Sequence, residues 1–332
     1  MEYALLGRTG VRVSRLAFGT MSFGGDADAA TSAKLYARCR DAGINLFDTA
    51  DMYSRGESER ILGGLVAAHR DQVVLATKAY FPMGEGPNDR GTSRFHLVRA
   101  VEASLKRLGT DRIDLFYLHR WDEEADLEET LRAVDDLVRQ GKILYPAISN
   151  FSAWQTMKAV ALCERRGWAR PVAIQPMYNL VKRQAEVELL PMSASEGLGV
   201  FPYSPLAAGL LTGKYGRGKN PDAGRLVENA TYMTRYGMGK DEALEVADGF
   251  VALADEVGVH PVSLAVAWVA AHPAVTAPLL GARKVEQLEP ALAALEVPMD
   301  EALYAKVAAL TPAPPLATDR AEEGSAHDLR GK

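Results

Sequence analysis

Two hydrophobic periods alternate along this chain. Short apolar runs occur at residues 16–18, 45–47, 73–76, 114–118, 144–148, 172–174, 200–202 and 277–280. Between most of them lie amphipathic stretches of helical length. Leu97, Val98, Val101, Leu105 and Leu108 recur at spacings of three and four, which predicts a helix opened by an N-cap at Ser93 and closed at Gly109. Leu127, Leu131, Val134, Leu137 and Val138 repeat the pattern as far as Gly141. Eight strand-like runs alternating with helices predict parallel βα units, and eight is the number that closes a (β/α)8 TIM barrel. The rival is an open doubly wound sheet, which usually carries G-x-G-x-x-G after its first strand. Here that turn reads Gly19-Thr20-Met21-Ser22-Phe23-Gly24-Gly25 and does not fit, so the barrel is favoured.

Ahead of the barrel, residues 3–6 and 11–16 flank Gly7-Arg8-Thr9-Gly10, the pattern of an N-terminal β-hairpin. Two segments break the alternation. Residues 207–240, after the seventh run, are rich in Gly, Lys and Arg and too long for a plain connection, which predicts a functional loop or lid. Residues 311–332 carry Pro312, Pro314 and Pro315 and then a polar run. The expectation is one barrel domain over residues 1–311 and a mobile tail over 312–332.

The 332 residues are 48% hydrophobic and 24% charged, which excludes wholesale disorder, collagen and coiled coil. A net charge of −5 gives no electrostatic reason to bind nucleic acid or an anionic membrane. Cys39 and Cys163 cannot make a disulfide framework. No apolar run reaches the roughly 18 residues of a membrane-spanning helix. The N-terminus lacks the order of a signal peptide, so a cytoplasmic location is the default expectation.

In a barrel, chemistry gathers at the carboxyl ends of the strands. Those ends hold Asp48 and Tyr53, Lys78, His119, Ser149 and Asn150, Gln175, Tyr203 and Ser204, and Gly281 and Arg283. Taken singly, each has a plain reading as a cap, a solvated or paired lysine, or a satisfied histidine. Together, Asp48, Tyr53, Lys78 and His119 on neighbouring strand ends make a proton-transfer set. A phenol with a pKa near 10 is a poor acid, and a nearby ammonium lowers that value. The carboxylate keeps the lysine charged, and the histidine holds a carbonyl oxygen and shares the proton load. Such a set protonates an oxygen that gains negative charge. Gly209-Leu210-Leu211-Thr212-Gly213-Lys214 has one residue too few for a P-loop and is followed by Tyr215, and His119-Arg120-Trp121-Asp122 is not a kinase loop. No His, Cys or carboxylate cluster has zinc spacing.

The ordered stretches Asn45-Leu46-Phe47-Asp48-Thr49-Ala50-Asp51-Met52-Tyr53, Gly56-Glu57-Ser58-Glu59, Thr77-Lys78, Asp114-Leu115-Phe116-Tyr117-Leu118-His119, Ile148-Ser149-Asn150-Phe151, Tyr203-Ser204-Pro205-Leu206 and Gly281-Ala282-Arg283 carry a likeness. Over about residues 3–310 the chain resembles the aldo-keto reductase superfamily. The resemblance implies a catalytic tetrad of Asp48, Tyr53, Lys78 and His119, and NADP(H) as preferred cofactor with NAD(H) admitted. It places Gly19, Thr20, Met21 and Asp48 beside that cofactor, and Ser149, Asn150 and Gln175 on its carboxamide. Tyr203 would stack on the nicotinamide. Ser204, Leu206, Gly209 and Lys214 would follow the pyrophosphate, Pro205 and the loop residue Arg225 would also contact the cofactor, and Gly281, Arg283 and Gln287 would meet the adenosine 2′-phosphate. Where the family usually carries Glu then Asn, this chain has Pro290 and Ala291.

Phe23, Tyr80, Trp121 and Tyr232, with Tyr53 and His119, are candidates to line the substrate mouth, which points to an apolar or aromatic aldehyde or ketone, or a sugar. The long loop, with Lys214, Arg217, Lys219 and Arg225, is expected to order over the bound dinucleotide. Two other readings compete: a Schiff-base lyase using Lys78, and a regulatory role like that of potassium-channel β subunits, which resemble the same family. Sequence leaves the oligomeric state open.

Overall fold

Along each strand of this protein successive side chains alternate between two faces, and that period of two builds two concentric layers. The computed structural model describes residues 1–318 except Asn220, Ala230 and Met238. A hairpin of β1 (Tyr3–Leu5) and β2 (Arg12–Ser14) comes first. Eight parallel strands follow: β3 (Ala17–Gly19), β4 (Leu46–Asp48), β5 (Val74–Ala79), β6 (Ile113–Leu118), β7 (Ile143–Ser149), β8 (Ala173–Gln175), β9 (Gly199–Val200) and β10 (Leu279–Leu280). They pair in sequence order, with β10 beside β3. Between the two ends of the sheet, Thr276 N donates to Val200 O at 2.9 Å and Leu279 N to Pro202 O at 2.8 Å, so the backbone bonds run around a closed ring. The predicted (β/α)8 barrel and its N-terminal hairpin are both present.

Leu46, Val74, Ala76, Leu115, Tyr117, Ala147, Ala173 and Leu279 fill the barrel interior, and Leu6 and Val13 of the hairpin close its floor in the same cluster. Gly7 makes that seating work. Its φ is +54°, and a Cβ there would lie 2.6 Å from Val172 O. The alternate residues, Phe18, Phe47, Leu75, Phe116 and Ile148, face outward to the helices.

The helices are α1 (Ala29–Asp41), α2 (Glu57–Val66), α3 (Arg94–Leu108), α4 (Leu127–Arg139), α5 (Ala153–Arg166), α6 (Leu189–Glu196), α7 (Arg225–Glu228), α8 (Thr231–Thr234), α9 (Lys240–Glu256), α10 (Pro261–Ala271), α11 (Val285–Leu292) and α12 (Glu301–Ala308). The signals at α3 hold: the Ser93 hydroxyl accepts from His96 N, and Gly109 closes the helix in the left-handed conformation. α4 ends at Arg139, and Gly141 is the left-handed residue beyond it. α10 is buried from Val262 to Ala270, on every face. Among the described residues no single helix is long and apolar enough to cross a membrane; α9 and α10 pass such a test only as a pair bent by 96°.

The segment after β9 carries more structure of its own than a bare loop. It contains a 3-10 turn (Ala207–Thr212), α7 and α8. Leu210, Leu211, Tyr215 and Tyr236 are buried in the outer core with Ala243 and Phe250 of α9. Arg217 pairs with Glu245 at 2.7 Å. Of the expected tail, residues 312–318 form no helix or strand, and 319–332 lie outside the described residues.

Candidate active site

Because Asp48, Lys78 and His119 share the parity of the interior residues, β4, β5 and β6 bring all three to the top of the barrel. Lys78 is fully buried. Its ammonium is ion-paired and hydrogen-bonded to Asp48 Oδ1, donates to Thr49 O at 2.7 Å, and lies 3.5 Å from the Tyr53 hydroxyl. Gln175 Nε2 holds the other carboxylate oxygen, Asp48 Oδ2, at 2.9 Å. Burial works against the ammonium, but Asp48 and Tyr53 outweigh it and hold Lys78 above its ordinary pKa. Lys78 is therefore a charged lysine.

Tyr53 is not on a strand. It is aimed by a turn in which Ser54 (φ +47°), Arg55 (φ +53°) and Gly56 (φ +88°) are all left-handed. Non-glycine residues in this region cost of order 1–3 kcal/mol each, and they persist only where the surroundings fix them. Here the fixing is visible. Ser54 Oγ donates to Phe23 O at 2.9 Å. Arg107 crosses so close to Gly56 that a Cβ would meet its Cδ at 2.6 Å. Fully buried Glu59 takes Arg107 Nε at 2.6 Å and Thr77 Oγ1 at 2.6 Å. The Ser58 hydroxyl lies 2.9 Å from those of Thr20 and Thr49. The run Gly56-Glu57-Ser58-Glu59 thus acts through the backbone that carries Tyr53.

One expectation reverses at Tyr53. Burial pushes the phenol above its ordinary value, and Lys78 offsets only part of that rise. A second is narrowed at His119. Burial, with help from Lys78, drives its imidazole down to about 2, so it is neutral at working pH and does not share a proton load. Its ring stands edge-on to Tyr53 at 6.1 Å, and its Nδ1 is buried with no hydrogen-bond partner among the described residues. A neutral imidazole remains able to donate one N–H to an oxygen placed between the two rings.

Around this set lie the other candidates. Asn150 (φ +57°) and Ser204 (φ +58°) are left-handed at the ends of β7 and after β9. Tyr203 Oη donates to Asn150 Oδ1 at 2.8 Å, Asn150 Nδ2 to His119 O at 3.0 Å, and Ser149 Oγ to Gln175 O at 2.9 Å. Thr20 spends its side chain on Asp48 O and Ser58, whereas Met21 is exposed on the rim beyond Gly19. Gly209 allows a close approach: a Cβ there would sit 3.2 Å from Lys214 Cε. Burial lowers Lys214, Arg283 and Arg225 add to the drop and Glu228 works against it, so three cations and one carboxylate act on each other here. Leu206 packs on the core, Pro205 is buried beside it, and Gly281 leaves open space where a side chain would stand. Gln287 Oε1 accepts from Arg283 N at 2.9 Å. Pro290 O takes the Ser263 hydroxyl and Ala291 is buried.

The aromatic candidates divide. Phe23 is a correction: it is fully buried against Phe18 at 5.9 Å, because the tight turn from Thr20 to Ala27 folds it inward, so it does not line the mouth. Trp121 packs edge-on to Phe151 at 5.3 Å and Trp154 at 5.5 Å. Tyr80 touches Phe81 at 5.2 Å, and Phe81 reaches His119 at 5.0 Å. Phe81 is thus the ring beside the histidine, which sequence reasoning passed over although it follows Tyr80 directly. Tyr232 sits between Arg225 and Arg235, at 5.6 and 4.2 Å.

Asp51 was also passed over. It is fully buried, and neither carboxylate oxygen has a hydrogen-bond partner among the described residues. Burial and the nearby Glu59 raise it from 3.8 to about 8. The folded state keeps a proton that the unfolded chain releases above about pH 4, so stability falls as pH rises toward 8 and then levels off. Relative to wild type, Asp51→Asn is expected to gain stability as pH rises from about 4 to 8 and to be clearly more stable near pH 9. Thermal unfolding across that range checks this; an unchanged pH profile would remove Asp51 from the account.

Comparison with known proteins agrees with this geometry. The aldo/keto reductase family model matches residues 15–311. An uncharacterized oxidoreductase of Bacillus subtilis (strain 168), YrpG, is 40% identical over 95% of this chain and 97% of its own. A probable voltage-gated potassium channel subunit beta of Oryza sativa subsp. japonica is 39% identical over 90% and 92%. Versiconal hemiacetal acetate reductase of Aspergillus parasiticus is 32% identical over 90% and 93%. With the barrel, the buried Asp48–Lys78 pair and these whole-length matches, the chain belongs to the aldo/keto reductase family.

Proposed function

We propose that this protein reduces an aldehyde or ketone to the alcohol, using NADPH ahead of NADH. The observation that carries the reading is the buried chain from Asp48 through Lys78 to Tyr53, with neutral His119 edge-on across from it. The residues present fit a nicotinamide dinucleotide: Tyr203 and Asn150 flank the mouth, and Lys214, Arg225 and Arg283 cluster where phosphates would lie. When bound, the reduced nicotinamide supplies a hydride to the carbonyl carbon. Tyr53 gives its phenolic proton to the carbonyl oxygen as negative charge grows there. The phenolate left behind faces the Lys78 ammonium 3.5 Å away, which Asp48 keeps charged. His119 donates an N–H to the same oxygen and fixes its position. Solvent then restores the proton to Tyr53. Phe81 and Tyr80 make the wall beside His119 apolar, which suits an aromatic or aliphatic carbonyl compound.

A panel of aldehydes, ketones and sugars with both cofactors tests this by cofactor oxidation. Turnover with at least one of them is expected. Cofactor binding without any turnover would favour the second reading, a cofactor-binding regulatory partner, which the relatives named as potassium channel β subunits keep in view. Borohydride should trap no carbonyl on Lys78, because a charged lysine is a poor nucleophile.

Arg283→Ala is expected to weaken NADPH by roughly 10- to 100-fold and NADH little, since a charge-assisted phosphate contact is worth about 1.5–3 kcal/mol. Titration calorimetry with each cofactor measures it. Equal losses would mean that Arg283 does not read the 2′-phosphate.

A further inference from the structure

Arg283 is already occupied on both sides of its guanidinium. Nε is ion-paired with Asp26 Oδ2 at 2.9 Å, from the turn between β3 and α1. Nη1 and Nη2 meet Glu228 Oε1 and Oε2 at 3.4 and 3.1 Å, from the end of α7. Glu228 is itself braced, its Oε1 accepting Gly224 N at 3.2 Å. Its hydrogen bonds with Arg283 hold its carboxyl below the usual range, so it is a carboxylate at neutral pH. Lys214 and Arg225 add two cations close by.

An arginine fork binds one planar oxyanion pair at a time. A ribose 2′-phosphate reaching Nη1 and Nη2 has to displace Glu228, and it then faces two carboxylates of its own sign. A ribose bearing only a 2′-hydroxyl meets no such conflict, because a carboxylate is a good acceptor for that hydroxyl. We infer that Glu228, seconded by Asp26, is a specificity-determining residue that works against the 2′-phosphate and narrows the preference for NADPH over NADH that Arg283 creates. The inference rests on the nicotinamide-dependent reading above and assigns Glu228 a role opposite to that of the cations beside it. Specificity of this kind comes from a repulsive element as well as an attractive one.

Binding of NADPH and NADH to the full-length protein, followed by titration calorimetry, tests this without reference to turnover. Glu228→Gln keeps the shape and the acceptor for Gly224 N but removes the charge. It is expected to tighten NADPH on the order of fivefold or more and to leave NADH unchanged or slightly weaker, a size set by a solvent-screened charge. Asp26→Asn should act in the same direction by less. Glu245→Gln, which removes an exposed carboxylate paired with Arg217 instead, should leave the NADPH-to-NADH ratio alone. In an Arg283→Ala background the gain from Glu228→Gln should shrink, since there is no fork left to release. An equal change for both cofactors, no change, or an equal gain from Glu245→Gln would overturn the inference while leaving the reductase reading intact. A wild-type chain that binds neither cofactor would overturn both.

Discussion

Tyr53→Phe is expected to lose between about 100- and 10,000-fold in the rate of carbonyl reduction, the range that a positioned general acid contributes. The same variant should bind cofactor within about twofold of wild type. The substitution removes one hydroxyl and keeps the ring, which packs edge-on to His119 at 6.1 Å and beneath which Lys78 Nζ lies 5.0 Å from the centroid. The left-handed turn that aims the ring depends on Ser54, Gly56, Arg107 and Glu59, and none of these contacts involves the hydroxyl. The elevated phenol pKa sharpens the expectation, because a phenol that burial keeps protonated is a donor throughout the working range. Single-turnover rates with saturating cofactor, beside a binding titration, separate the two effects. A variant that turns over near the wild-type rate would transfer the proton donor to another group, and His119, neutral and with its pKa near 2, is not available for that role.

Three of the four residues in this set were legible from parity alone. Asp48 follows Leu46, Lys78 follows Val74 and Ala76, and His119 follows Leu115 and Tyr117, all at steps of two, so a reader who places the barrel interior also places them. Tyr53 lies beyond the strand, and its placement depends on three consecutive left-handed residues, of which only Gly56 advertises itself in sequence. Phe23 illustrates the converse. Its position just after β3 suggested the mouth, but a tight turn reverses the chain and buries the ring, a choice made by backbone geometry that side-chain type does not reveal. The occupation of Arg283 was invisible for a different reason. Asp26 lies near the start of the chain and Glu228 is 55 positions before Arg283, and nothing local couples them to the end of β10. Likewise the basic character of residues 207–240 was plain, whereas the anchoring of Leu210, Leu211, Tyr215 and Tyr236 depends on which face α9 offers them.

Lys78→Met is expected to damage stability and catalysis together, and the two losses have separable causes. The ammonium is fully buried and is the partner of a carboxylate that is itself almost inaccessible. Removing one member of such a pair leaves an uncompensated buried charge, at a cost of about 3–5 kcal/mol. Gln175 Nε2, at 2.9 Å from Asp48 Oδ2, would be the main donor left to that carboxylate. Burial already holds Asp48 above its ordinary value, with Lys78 and Gln175 offsetting part of the rise, and without Lys78 it escapes the penalty by taking up a proton at a still higher pH. The lost stability should therefore be smallest near pH 4 and should grow as pH rises, the sign expected when the folded state binds the extra proton. Urea unfolding at pH 5 and pH 8 reads this directly. Combining Lys78→Met with Asp48→Asn removes the orphaned charge, so the double variant should regain most of the stability and return to the wild-type pH dependence. Turnover should not return, because the phenolate of Tyr53 would still lack the cation that stabilises it. A single Lys78→Met variant as stable as wild type would show that the pair contributes nothing to the fold. A double variant that recovers activity as well as stability would show that Lys78 serves only to neutralise Asp48 and has no part in the chemistry at Tyr53.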